Sequence, residues 1–121
     1  MTKRFVFVLS AMLFVTGLAA GYAFGARQGR AQSKVVLENK RVEATEWTLV
    51  PGAKREAYTR PTDQVIIFLD DASYDAIDAS GKKEARQRKA GEVIWHNQGE
   101  AAPTLINTGS KPFRNVAIAV K

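Results

Sequence analysis

The chain has 121 residues, 45% hydrophobic and 25% charged, enough for one modest globular domain and no more. It has no cysteine and one histidine, His96, which excludes disulfides, thiolate metal sites, thiol nucleophiles and any site needing two imidazoles from one chain. The formal charge of +6 comes mostly from the N-terminus: residues 32–121 carry 14 basic and 12 acidic side chains, interspersed and without a basic–aromatic stripe, so no nucleic-acid partner is expected.

Lys3 and Arg4 precede an apolar run over residues 5–26, which Arg27 and Arg30 close. A basic start, an apolar middle and a small-residue end describe an export signal, with cleavage sites available after Ala20, Gly25 or Ala31. The run is also long enough, at about 1.5 Å per residue, to cross roughly 30 Å of hydrocarbon as an uncleaved anchor helix. Gly17, Gly21 and Gly25 recur at the spacing that lets membrane helices approach closely. Residues 1–31 are therefore read as a signal peptide or membrane anchor. Residues 32–121 are the folded domain, periplasmic or secreted, or held at the membrane by that helix.

Beyond Ser33 the pattern predicts short strands and turns. A strand starts at Val35-Val36-Leu37. Another spans residues 41–50, with Val42, Ala44, Glu46 and Thr48 on one face and Trp47 and Leu49 on the other; Pro51-Gly52 ends it. Residues 64–69 form an apolar β-branched run, and Asp70-Asp71 turns the chain. Residues 72–77 and 82–89 flank the hairpin signal Asp78-Ala79-Ser80-Gly81, and the charges of the second arm suit an exposed edge strand. After the turn at Ala90-Gly91, strands follow over residues 92–96, 104–107 and 113–120. About eight strands and no helix after residue 34 mean a sandwich or a barrel.

Two stretches carry a family resemblance. Gly52 is followed by five residues, then Tyr58-Thr59-Arg60, three residues, Gln64, six residues and Asp71. Later, Gly91-Glu92-Val93-Ile94-Trp95 leads to the turn Asn97-Gln98-Gly99, and then to Asn107. These spacings resemble the two motifs of the small single-domain cupins. The resemblance implies an all-β, single jelly-roll barrel of antiparallel strands. It also implies that Tyr58 and Arg60 stand where that family has two metal-binding histidines, Gln64 at its carboxylate position and Pro103 at its last histidine. No metal or other cofactor is expected, because Arg60 keeps its charge and repels a cation.

The candidate pocket is Tyr58, Arg60, Gln64, Trp95 and His96. Arg60 can grip a carboxylate or phosphate, or pair with Asp63 or Glu56. Tyr58 can donate a hydrogen bond in the barrel mouth or simply fill space; Gln64, if it points inward, needs partners. His96 is a lone acid or base, or a solvated turn residue. Trp47 and Trp95 line the core or the mouth. The expected function is an exported cupin-like domain without a metal site, acting as a non-catalytic small-ligand-binding or protein-interaction module. A small anionic or sugar ligand and a homodimer are its expected partners. The alternatives are a metal-independent isomerase or lyase acting on a sugar or organic acid, and a membrane-anchored structural envelope protein. The isomerase or lyase requires Tyr58, Arg60 and His96 to converge on one pocket.

Overall fold

A computed structural model describes residues 29–121. The signal or anchor expected over residues 1–31 falls almost wholly outside them. The described residues form eleven strands: β1 (Gln32–Glu38), β2 (Val42–Leu49), β3 (Lys54–Arg55), β4 (Tyr58–Thr59), β5 (Asp63–Phe68), β6 (Ala72–Ile77), β7 (Lys83–Arg88), β8 (Val93–His96), β9 (Ala101–Ala102), β10 (Thr104–Asn107) and β11 (Phe113–Val120). Among these residues there is no helix long and apolar enough to cross a membrane.

All pairings between named strands are antiparallel. They build a five-stranded sheet in the order β1-β2-β11-β5-β8, a four-stranded sheet in the order β3-β10-β6-β7, and a small β4-β9 pair. The non-sequential order makes this a jelly roll and not an up-and-down barrel. The register decides which side chains face inward. Leu49 lies opposite Phe113, Thr45 opposite Ala117, Glu43 opposite Ala119, Ala119 opposite Gln64, and Gln64 opposite His96. With a side-chain period of two, the whole inner face of the larger sheet follows from these pairs.

The interior has two ends. At one, Phe68, Tyr74 and Phe113 meet pairwise with ring centroids 5.8–6.2 Å apart, and Leu49, Ala72, Ala76 and Leu105 fill the gaps. Phe113 and Leu49 are the largest fully buried side chains. At the other end the inward residues of β11 are Ala117 and Ala119, too small to reach the facing sheet, and the barrel stays open. Asn107 ties the closed end: its Nδ2 donates to the Leu49 carbonyl at 2.8 Å and the Lys111 carbonyl at 2.9 Å, and its Oδ1 accepts from the Gly109 amide at 2.8 Å. The position read as a motif asparagine thus clamps a hairpin.

Three strands escaped the sequence reading: β3, β4 and β9. Each has two residues, too few for a periodic signal, and each is held by tertiary pairing alone. The chain also starts its pairing earlier than expected. The Ala31 amide donates to the Lys54 carbonyl at 2.9 Å and the Lys54 amide to the Gly29 carbonyl at 3.2 Å, so residues assigned to the leader line β3.

Candidate functional site

The site is built where the open end of the barrel meets the segment from β3 to the start of β5. Continuous alternation from Lys54 would set Arg55 on the face opposite Tyr58 and Arg60. The chain breaks between β3 and β4, which resets the parity and brings all three into one place. Arg60 is then locked from the far side, its amide donating to the Glu100 carbonyl at 2.9 Å and its carbonyl accepting from the Gly99 amide at 2.8 Å. Gly99 supplies the positive φ of 87° that this turn needs.

Arg60 is 4% exposed. Its Nη1 donates to Gln64 Oε1 at 2.8 Å and to the Tyr58 hydroxyl at 3.3 Å, and that hydroxyl donates to the same Oε1 at 3.3 Å. The Tyr58 ring is in reach of two cations, with the guanidinium carbon of Arg55 at 5.2 Å and that of Arg60 at 5.6 Å from its centroid. Arg55 Nη2 donates to the Pro103 carbonyl at 2.6 Å. Burial pushes the Arg55 pKa down, nearby Arg60 lowers it further, and Tyr58 and Tyr74 work against both. Neither arginine has a carboxylate partner among the described residues. The two acids expected to neutralise Arg60 are occupied elsewhere: Asp63 accepts from the Gln98 amide at 2.8 Å and Glu56 pairs with Lys54 at 3.7 Å. The Nε of Arg55 and the Nε of Arg60 are buried with no hydrogen-bond acceptor.

Arg55, Tyr58, Arg60, His96 and Glu100 line an inner cavity of about 170 Å³ between the sheets. Tyr58 and Arg55 also border an open cleft of about 700 Å³ at the mouth, floored by Thr45, Trp47, Ala117 and Ala119 and reached by Gln64. His96 is a correction to the solvated-turn reading. It is half-buried, and its Nδ1 sits 3.1 Å from Glu100 Oε1, whose other oxygen accepts from Asn97 Nδ2 at 3.0 Å. Burial lowers the His96 pKa, Arg60 adds to that, and Glu100 opposes it; the same hydrogen bond holds Glu100 below the ordinary carboxylate range.

Trp95 is the second correction. It lies on the outer face of β8, 54% exposed, with Nε1 donating to Asn97 Oδ1 at 2.9 Å, because it alternates with His96. Its role at the mouth belongs to Trp47. Arg55 and Glu100 were missed by the sequence reading, and no local signal marks either. The other cavity cations are spoken for: Arg88 pairs with Glu92 at 2.7 Å and Arg86 with Glu84 at 2.9 Å.

A metal does not fit this donor set. His96 and Glu100 are the only His, Cys, Asp or Glu side chains lining the inner cavity; they bond each other at 3.1 Å beside the Arg55 and Arg60 cations, and no three such side chains group together among the described residues.

No protein-family model matches the chain, and no curated protein matches its sequence. Solved structures do match. A cupin domain from Bordetella pertussis Tohama I aligns with a TM-score of 0.69 at 24% identity, over 76% of this chain and 94% of that one. The polyketide cyclase RemF of Streptomyces resistomycificus gives 0.62 at 16% identity, over 75% and 65% of the two chains. A double-stranded β-helix protein from Klebsiella pneumoniae gives 0.61 at 22% identity, over 76% and 77%. The fold of this chain is that of the cupins.

Proposed function

We propose that this is an exported cupin-fold domain that binds a small organic anion in its barrel. One observation carries the reading: Arg60 is buried without a counter-charge, and its Nε–H lacks an acceptor, as does that of Arg55. A buried charge without a partner is costly, and a carboxylate or phosphate entering beside the guanidinium groups supplies the missing counter-charge. A neutral sugar supplies acceptors but no charge, so the anion is favoured.

Calorimetric titration of the purified protein with acetate, succinate, inorganic phosphate and glucose tests this. The anions bind, glucose does not, and Arg60→Met weakens binding about 10–100-fold, the worth of a charge-assisted hydrogen bond. Absence of binding by every anion rejects the reading.

The metal-independent isomerase or lyase gains support from a separate observation, the convergence of Tyr58, Arg60 and His96 on one cavity. RemF, a polyketide cyclase, is an enzyme on the same fold, but fold alone carries no activity across. The expected homodimer also has a surface to form through. Leu37, Ala44, Ile118, Val65 and Trp95 lie in one row across the outer face of the larger sheet, with Leu37 and Trp95 both 54% exposed. The exposed apolar side chains of that row stand at its two ends, with Ala44 buried between them.

A further inference from the structure

The imidazole of His96 has two different nitrogens. A carboxylate only accepts hydrogen bonds, so the contact with Glu100 keeps the proton on Nδ1 and leaves the Nε2 lone pair available. Among the described residues Nε2 has no hydrogen-bond partner. Glu100 is itself fixed, by Asn97 at its second oxygen and by the Arg60 amide at its carbonyl. His96 lies directly across the sheet from Gln64, the residue that holds Arg60. An oriented base and two guanidinium side chains without carboxylate partners therefore border one small cavity.

We propose that this cavity catalyses enolisation of a small 2-oxo carboxylic acid, with His96 as the general base. The inference rests on the anion-binding reading above. Two guanidinium groups lining the cavity lack a counter-charge, and the enolate of a 2-oxo acid presents two anionic oxygen sites, the carboxylate and the oxygen on the adjacent carbon. Arg60 and Arg55 take these two. The C–H bond at C3 breaks, its proton passes to His96 Nε2, and the electron pair moves to form C2=C3 while the carbonyl π pair settles on the C2 oxygen. The imidazolium exchanges that proton with solvent, the ring being partly exposed, and return of a proton from it to C3 completes the cycle; no oxidant, reductant or further reactant is needed. Glu100 positions the imidazole and steadies its charge while it holds the proton.

The test is proton NMR of pyruvate and of 2-oxobutyrate in D₂O with the purified protein, alongside calorimetry of the same samples. The C3 protons exchange for deuterium at least 100-fold faster with the native chain than with His96→Gln, the range for loss of a general base. Pyruvate affinity in that variant stays within about threefold, since the guanidinium donors remain. Glu100→Gln, which leaves the imidazole in place, slows exchange less than His96→Gln and shifts its pH profile, and it stands in should His96→Gln not fold. Pyruvate that binds but exchanges no faster than in buffer overturns the proposal and leaves the anion reading intact. Binding of acetate and phosphate without either 2-oxo acid also overturns it. Failure of all anions to bind rejects both.

Discussion

The two ends of the barrel use the same sheets for opposite purposes. At the closed end, inward positions carry Leu49, Phe68, Tyr74 and Phe113, and the interior is filled. At the open end the same strands turn inward Thr45, Ala117 and Ala119 around a cleft that Arg55 borders, and Arg55 and Arg60 line the inner cavity beside it with no carboxylate partner. Packing dominates the first region and unsatisfied polarity the second. Stability and function are therefore separable along the length of β2 and β11.

The largest effect expected belongs to the closed end. Phe113→Ala removes a fully buried ring that touches two others, and urea unfolding should show a loss of about 3–5 kcal/mol. Arg60→Met does the reverse. It removes an uncompensated buried charge, so the midpoint of unfolding stays level or rises while anion affinity falls. A drop in stability comparable to that of Phe113→Ala would show that the guanidinium is structural and erase the contrast.

A matched pair sharpens it. Ala76→Leu at the filled end overpacks a residue 3% exposed and costs about 1–3 kcal/mol. Ala117→Leu puts the same side chain where the mouth meets the inner cavity, so unfolding is unchanged within about 1 kcal/mol and anion binding is blocked. Equal losses at both ends would show that the mouth is as tightly packed as the core. On the outer face, the proposed homodimer predicts that Trp95→Lys shifts sedimentation from dimer to monomer with fold and ligand affinity retained; an unchanged sedimentation coefficient removes the sheet face as the contact.

The smallest effect is that of pH. His96 has a folded pKa below its ordinary value near 6.5, so in the window just beneath that value the unfolded chain binds more protons than the folded one. Stability should therefore fall as pH drops through this window, and the thermal midpoint of His96→Gln should be flatter there. The depressed Glu100 adds a second loss at lower pH, as it protonates below the ordinary carboxylate value. A native midpoint that rises on acidification from pH 7 to 5.5 contradicts the sign.

Most long strands were legible because each runs for four or more residues, enough for alternation to show. Residues 72–77, 104–107 and 113–120 needed no revision, and the split of Trp47 and Leu49 from Ala44 and Thr48 follows from alternation alone. The turns at Gly52, Gly81, Gly91 and Gly99 were equally plain, since each glycine has a positive φ. The site was legible only in part. Spacing marked Tyr58, Arg60 and Gln64, and His96 stood out as the single histidine. Trp95 was misplaced because a neighbour in an extended strand necessarily points the other way.

The amino-acid sequence by itself determined the class of structure, the absence of thiol and multi-imidazole chemistry, and the segment that carries the site, because composition and period act locally. Only the tertiary structure decided that Arg60 lacks a counter-ion, that Arg55 joins it at the Tyr58 ring, and that Glu100 orients His96. Those facts depend on which carboxylate reaches which cation once two-residue strands have reset the parity and a distant turn has closed against them. No local pattern encodes a partner that is missing.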